Sequence, residues 1–353
     1  MTPRDIGISV VIPTFDRSAH LQYCLASLAR QSLPRTEFEV IVIDDGSSDS
    51  TPEVCRTWQQ CLALRYVGQR HCGPSPARNL GLFMARAPIV LLFDDDESAD
   101  RELLAQHLRA HQRFSSLGTA ILGHTALSPR VPLTPLMHYV VAVGQFLLSY
   151  PSVPRDQPLG FAYFWTGRLS VKRDFLTQFG IFSQRLKRLE DIELGYRLAR
   201  HGLEVRYWPG ALSFRETGIE FAEFCRRMRV DGHALRCLLE LHPDPEMRAY
   251  CALEDAGRQW LRAAAALPAW MSAVESLEAE LGSNGQFADH PRAPELWELY
   301  RRCFLAHRFL GASQGFVPRF ASSVMYRWAM RVRLRPSTPW RRAWPRARRD
   351  PGG

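Results

Sequence analysis

Up to Phe93, short runs that are apolar at almost every residue alternate with stretches whose apolar residues recur at helical spacing. The runs at 8–12, 38–43, 64–67 and 88–93 predict strands, and the lack of polar alternation within them predicts a sheet covered by helices on both faces. Ser18 can cap a helix in which Leu21, Cys24, Leu25 and Leu28 follow the i, i+3, i+4, i+7 pattern. A second helix opens near Ser50 with Pro52 in its first turn, and a third runs over about 76–85. Strand and helix in alternation predict βαβ units, hence an α/β fold with a Rossmann-like, mostly parallel sheet flanked by helices.

In such sheets ligands bind beyond the carboxyl ends of the strands. Thr14-Phe15-Asp16 follows the first run, Asp44-Asp45-Gly46-Ser47-Ser48 the second, and Asp94-Asp95-Asp96 the run at 88–93, so three polar clusters are expected on one edge. The stretch 128–159 is rich in proline and aromatics and reads as a long loop with one helix over the site. A strand is expected over 161–171 and a helix over 190–200, closed by Gly202. Past Trp208 the pattern turns helical, at 219–241, 245–267 and 295–310. The expected organisation is an α/β domain at 1–218, a helical C-terminal region at 219–318 packed on it, and a basic tail at 319–353.

Composition sharpens this picture in two places. With 46% hydrophobic and 23% charged residues, extensive disorder is excluded. The net charge of +9 is local, because the segment from Arg319 onward carries ten arginines against one acid, Asp350. With Trp328, Trp340 and Trp344 among them, these arginines suit an anionic membrane surface; a solvated tail fits as well, and nucleic acid is not expected because no folded reading element is visible. Eight cysteines without a Cys-x-x-Cys pair, and an N-terminus that passes from a short polar lead into a strand, predict a cytoplasmic protein, peripheral at most on the inner face of the cell membrane. No uninterrupted apolar run reaches the roughly 18 residues of a membrane span.

Carboxylates crowded at the end of a buried strand repel one another unless a cation sits among them. Asp94 to Asp96 therefore suit a divalent ion that keeps part of its shell for phosphate oxygens, whereas Asp100 needs no more than a helix-capping role. In Asp44-Asp45-Gly46 the turn and the following helix cap account for the serines and Asp49, leaving one leading aspartate to accept from a nucleobase or ribose. Gly73-Pro74-Ser75-Pro76-Ala77-Arg78 opens a helix where backbone N–H groups and a guanidinium can meet phosphate. Glu190 and Asp191 lie in the first turn of a helix, which its dipole favours; Glu190 reads equally as a cap, and Asp191 as a general base if that turn faces the same cleft.

The series VVIPTFDR, VIVIDDGSSDST, GPSPARNLGL, LLFDDDES, WTGRLSVKRDFL and LEDIELGYRLARHGLEVRYWPGA resembles family 2 glycosyltransferases of the GT-A fold, bacterial in type and inverting, over about 8–211. The resemblance implies that Thr14, Asp45, Arg78, Asp95 and Arg215 bind the nucleotide sugar and that Asp94 and Asp96 hold Mn²⁺ or Mg²⁺ on its diphosphate. It implies an acceptor border at Trp165, Thr166, Gly167 and Glu190, with Asp191 as the catalytic base. Where many members carry a histidine that contacts metal or diphosphate, this chain has Arg215, which bonds phosphate but ligates no metal. The expected function is inverting, metal-dependent transfer of a sugar from a UDP-, dTDP- or GDP-linked donor to a hydroxyl of a glycan or lipid-linked acceptor in polysaccharide biosynthesis. The alternative is a catalytically weakened sugar-nucleotide-binding protein of the same fold.

Overall fold

The computed structural model describes residues 6–148, 150, 153–155, 157–282 and 286–313. The chain forms two compact units, one from residues up to Val131 together with Val153–Thr217, the other from Pro132–Ser152 together with the chain after Gly218. The basic stretch at 319–353, and any membrane contact through it, lies outside the described residues.

The first unit is built on eight strands: β1 (Ile8–Thr14), β2 (Phe38–Asp44), β3 (Leu64–Gly68), β4 (Ile89–Phe93), β5 (Glu97–Ala99), β6 (Thr119–Leu127), β7 (Arg168–Lys172) and β8 (Glu204–Arg215). Their order is β3-β2-β1-β4-β7-β6-β8-β5. The half made of β3, β2, β1 and β4 is parallel, and every residue of β2 is buried, as burial on both faces requires. Helices α1 (Ser18–Leu28), α2 (Thr51–Trp58) and α3 (Pro74–Met84) make its crossovers, followed by α4 (Leu103–Arg113). Leu21, Cys24, Leu25 and Leu28 of α1 are buried with Ile8, Val10 and Ile12 in one apolar core.

The sheet is mostly parallel, as expected, because β6 and β8 also pair parallel, but it is mixed: β4–β7, β6–β7 and β5–β8 pair antiparallel. The antiparallel pairings all involve β7 or the three-residue β5, which the chain inserts beside strands running the other way. The strand expected over 161–171 is a 3₁₀ turn at Phe161–Tyr163 and then β7, separated by Gly167 at φ +96°. Past β7, α6 (Arg173–Phe179) and α7 (Glu190–Ala199) lead into β8. In α7, Glu190, Asp191 and Glu193 occupy the first turn, and the Arg197 guanidinium donates to Glu193 at 2.8 Å one turn on.

In the second unit, the segment expected to be a loop over the site forms one short helix, α5 (Pro135–His138), run on by a π turn at Tyr139–Val143, and it groups with the C-terminal helices rather than with the α/β unit. The helix expected over 245–267 is three: α9 (Pro245–Cys251), α10 (Ala256–Ala264) and α11 (Leu267–Leu281), the first ended by Ala252 in the left-handed region at φ 48°. α8 (Phe221–Leu241) and α12 (Ala293–Ser313) approach so closely that a Cβ on Gly232 would overlap the Arg308 carbonyl, and one on Gly311 the Arg229 carbonyl. Rings of Tyr139, Trp297, Tyr300 and Phe304 lie against this pair, Tyr300 and Phe304 stacked 5.8 Å apart.

Under the sheet of the first unit, the Ser170 hydroxyl lies between His107 Nδ1 at 2.8 Å and His111 Nε2 at 2.9 Å. Burial pushes these imidazoles down, His107 to about 3 and His111 to about 4, from 6.5. Both are therefore neutral in the fold and take up protons on unfolding, so their contribution is present above about pH 6.5 and is lost as pH falls towards about 4, at up to ~1.4 kcal/mol per pH unit for each. Urea denaturation across this range should show stability falling with pH, with a shallower slope in His107→Asn/His111→Asn.

Candidate active site

The carboxyl ends of β1, β2 and β4 face the same edge, and β5 turns the chain immediately after the three aspartates. The antiparallel pairing of β5 with the end of β8 sets Glu97 opposite Arg215, which brings Arg215 beside Asp96. Two connected networks result.

In the first, Arg78 on α3 is buried and donates from Nη1 to Glu190 Oε1 at 2.6 Å and from Nη2 to Asp94 Oδ1 at 3.2 Å. One guanidinium thus ties the head of α7 to the end of β4. Burial and the adjacent Asp191 raise the Glu190 carboxyl above its usual range, with Arg78 opposing them. Gly167 packs against Asp94 so tightly that a Cβ would overlap that carboxylate, which explains a glycine there together with its positive φ. Next to Glu190, Asp191 is half-buried; its Oδ2 accepts from the Thr166 backbone N–H at 3.3 Å and hydroxyl at 3.4 Å, and its Oδ1 from Ile192 N–H at 2.8 Å.

In the second network the Thr14 hydroxyl donates to Asp95 Oδ2 at 2.8 Å, and Arg17 Nη1 lies 3.1 Å from Asp95 Oδ1 and 3.3 Å from Asp96 Oδ2. Asp96 also accepts from the Thr217 hydroxyl at 2.9 Å and pairs with Arg215 Nη2 at 3.2 Å. Burial pushes the Asp95 carboxyl up to about 6 despite Arg17. At Asp96 the same burial is outweighed by Arg215, Arg17 and Thr217, which hold the carboxyl below its usual range. Beneath both, buried Glu97 is pushed up to about 7 by desolvation, with Arg168 opposing, and accepts from Thr125 at 3.1 Å.

Asp45 stands apart from these networks. Its carboxylate accepts from Gln69 Nε2 at 2.7 Å, Cys72 N–H at 2.9 Å and Gly73 N–H at 2.7 Å, and pairs with His71 at 2.9 Å, fixing the loop that leads into α3. Asp44 is likewise engaged, by Tyr66 and Ser47. The Trp165 indole donates to Ala162 and rests on Tyr163, outside the acidic networks.

Sequence reasoning missed Arg17, Thr217 and Glu97 as members, and the exposed Phe15 ring tilted against His71 with centroids 4.3 Å apart, beyond the β1 and β3 ends. Arg17 stood in the quoted VVIPTFDR stretch, but its two aspartate partners lie 78 and 79 positions away, and only the β1–β4 pairing joins them.

A metal was expected on Asp94 and Asp96. Among the described residues no group of three or more His, Cys, Asp or Glu is placed to hold one. Asp96 is committed to two guanidiniums and a hydroxyl, and Asp94 faces Arg78. A dication would have to displace these charges, so the residues as arranged do not fit the two-carboxylate site.

Known proteins carry the same elements. Residues 9–124 match the profile of glycosyl transferase family 2. A validoxylamine A glucosyltransferase of Streptomyces hygroscopicus subsp. jinggangensis is 31% identical over 269 residues, 68% of this chain and 62% of the relative. A hyaluronan synthase of Pasteurella multocida is 27% identical over 60% of this chain and 24% of its own. The chain thus spans about three fifths of the first relative's length and about a quarter of the second's. Among solved structures, a mannosyltransferase from Pyrobaculum calidifontis in complex with GDP-Man and Mn²⁺ superposes with a TM-score of 0.57 at 20% identity, covering 90% of this chain and 89% of that one, which shows the fold.

The Arg78 link is a buried charge arrangement whose disruption strands two carboxylates. Arg78→Met should cost about 3–5 kcal/mol in urea denaturation, and adding Glu190→Gln should restore part of that loss.

Proposed function

Because the chain carries a glycosyl transferase family 2 domain of GT-A fold, we propose that it transfers a sugar, with inversion, from a nucleoside-diphosphate sugar to a hydroxyl of a glycan or lipid-linked acceptor. The observation that carries this reading is the position of Asp191: at the head of α7, oriented by both donors of Thr166, and beside a Glu190 that Arg78 ties to the aspartates after β4. Thr166 leaves Asp191 an oxygen lone pair for an acceptor hydroxyl and restrains its rotation.

In the reaction, the acceptor oxygen attacks the anomeric carbon on the face opposite the diphosphate. The bond from that carbon to the diphosphate oxygen breaks, its electron pair leaving with the nucleoside diphosphate, and the hydroxyl proton passes to Asp191. A single displacement inverts the centre and needs no covalent sugar intermediate, although the transition state has the oxocarbenium character of glycoside cleavage. Thr14, Asp95, Arg78 and Arg215 line the donor side, and Thr166, Gly167 and Glu190 the acceptor side. Asp45 acts by holding the loop before α3, and Trp165 borders the acceptor. Metal dependence, which the Asp-x-Asp pattern implies, enters no step here because Asp96 is already paired with arginines.

The cytoplasm as the place of action is supported by eight cysteines that all stand as free thiols. No helix among the described residues is long and apolar enough to cross a membrane. A second reading, a sugar-nucleotide-binding protein with weakened catalysis, is favoured by one observation, the pairing of Arg215 with Asp96.

Release of nucleoside diphosphate from a panel of UDP-, dTDP- and GDP-sugars, with and without candidate acceptors, separates the two. Asp191→Asn should lower release at least ~100-fold while nucleotide affinity stays within about twofold. Wild-type protein that binds a donor and releases nothing with any acceptor would leave the binding reading.

A further inference from the structure

Asp96 is 4% exposed and lies between two arginines that approach from different elements, Arg17 from the end of β1 and Arg215 from the end of β8. Arg17 Nη1 serves Asp95 and Asp96 together, yet 46% of its side chain remains open to solvent at the strand edge. Arg215 donates from Nε to the Thr217 carbonyl at 3.2 Å and its Nη2 pairs with Asp96 Oδ2 at 3.2 Å, which restrains its plane. A guanidinium carries five N–H donors, so each arginine keeps donors beyond those engaged here. Charge-assisted, planar donors of this kind match the oxygens of a diphosphate.

The positive charge that a divalent ion would supply is thus already covalently attached, and it occupies the carboxylate that such an ion would need. We propose that Arg17 and Arg215 bind the donor's diphosphate and stabilise the departing nucleoside diphosphate, so that this chain takes up its donor without a divalent cation. The inference rests on the nucleotide-sugar reading above. The bond changes are those already given: the electron pair from the broken bond stays on the terminal phosphate oxygen, where the guanidinium N–H groups meet it. Asp95 and Asp96 then act as positioning residues, holding the two guanidiniums in place.

The test is calorimetric binding of UDP, dTDP and GDP to the full chain, in EDTA and then in Mn²⁺, with electron paramagnetic resonance following free manganese. The expected result is that the nucleotide that binds does so with the same Kd in both conditions to within about twofold, and that no manganese is taken up with it. Arg17→Met and Arg215→Met should each weaken binding roughly ten- to hundredfold in EDTA. Arg215→His, which introduces a ligating imidazole, should bind weakly in EDTA and regain affinity with Mn²⁺, and this rescue also excludes misfolding as the cause of the loss. Binding by wild-type protein only when Mn²⁺ is present, with about one manganese taken up per chain, would overturn the inference and leave the transferase reading intact. Arginine variants that bind as wild type does in EDTA would overturn it too. Binding of none of the three nucleotides in either condition would overturn the donor reading and this inference together.

Discussion

Four carboxylates, those of Asp94, Asp95, Asp96 and Glu190, meet at one edge of a buried sheet, and the constraint on everything around them is that their charge must be answered locally. Ionised groups removed from water are tolerated only when paired and hydrogen-bonded. Here three guanidiniums perform that role. Arg78 spans Asp94 and Glu190, Arg17 spans Asp95 and Asp96, and Arg215 closes on Asp96 from the far strand. Removing Arg78 leaves Asp94 and Glu190 without their guanidinium, and removing Arg17 or Arg215 leaves the adjacent Asp95 and Asp96 with one fewer.

The arginines are placed element by element. Asp45 looks from its place in the chain like a ligand group, but it spends its four contacts on the loop between β3 and α3 and so sets where Arg78 begins. Asp16 takes a left-handed conformation at φ 50° and is held by Ser47 and Ser48, which fixes the turn that presents Arg17. The short β5 pairs with β8 in a register that sets Arg215 opposite Glu97, where its guanidinium reaches Asp96. Binding groups therefore rest on residues whose own work is structural, and the rigid β1–β4 half of the sheet transmits that order to the edge.

Much of this was legible in the sequence and some was not, for physical reasons. The strands β1, β2 and β4 announced themselves because burial on both faces makes them almost continuously apolar, whereas β3, LRYVG at the sheet edge, is only partly buried. β6, with the sequence TAILGHTAL, mixes small and polar residues and gave no such signal; it is defined by pairing with β7 and β8, partners some fifty to ninety positions away. The convergence of the polar clusters after β1, β2 and β4 on one edge followed from the rule for strand ends, whereas the link of Arg78 to Asp94 and Glu190, between two helices and a strand end, did not. The exclusive use of Asp45 for the loop, and the double pairing of Asp96, depend on where backbone N–H groups and guanidiniums fall in space, which no local pattern encodes.

On the proposal above, arginines rather than a metal ion neutralise the acidic edge when a nucleotide is present. A crystal of the protein soaked with MnCl₂ and the nucleotide that calorimetry identifies, measured at the manganese absorption edge, tests it most directly. The account expects phosphate oxygens within hydrogen-bond distance of the Arg17 and Arg215 guanidiniums and no anomalous peak near Asp94 or Asp96. An anomalous peak coordinated by those two carboxylates, with Arg17 and Arg215 swung away, would contradict it.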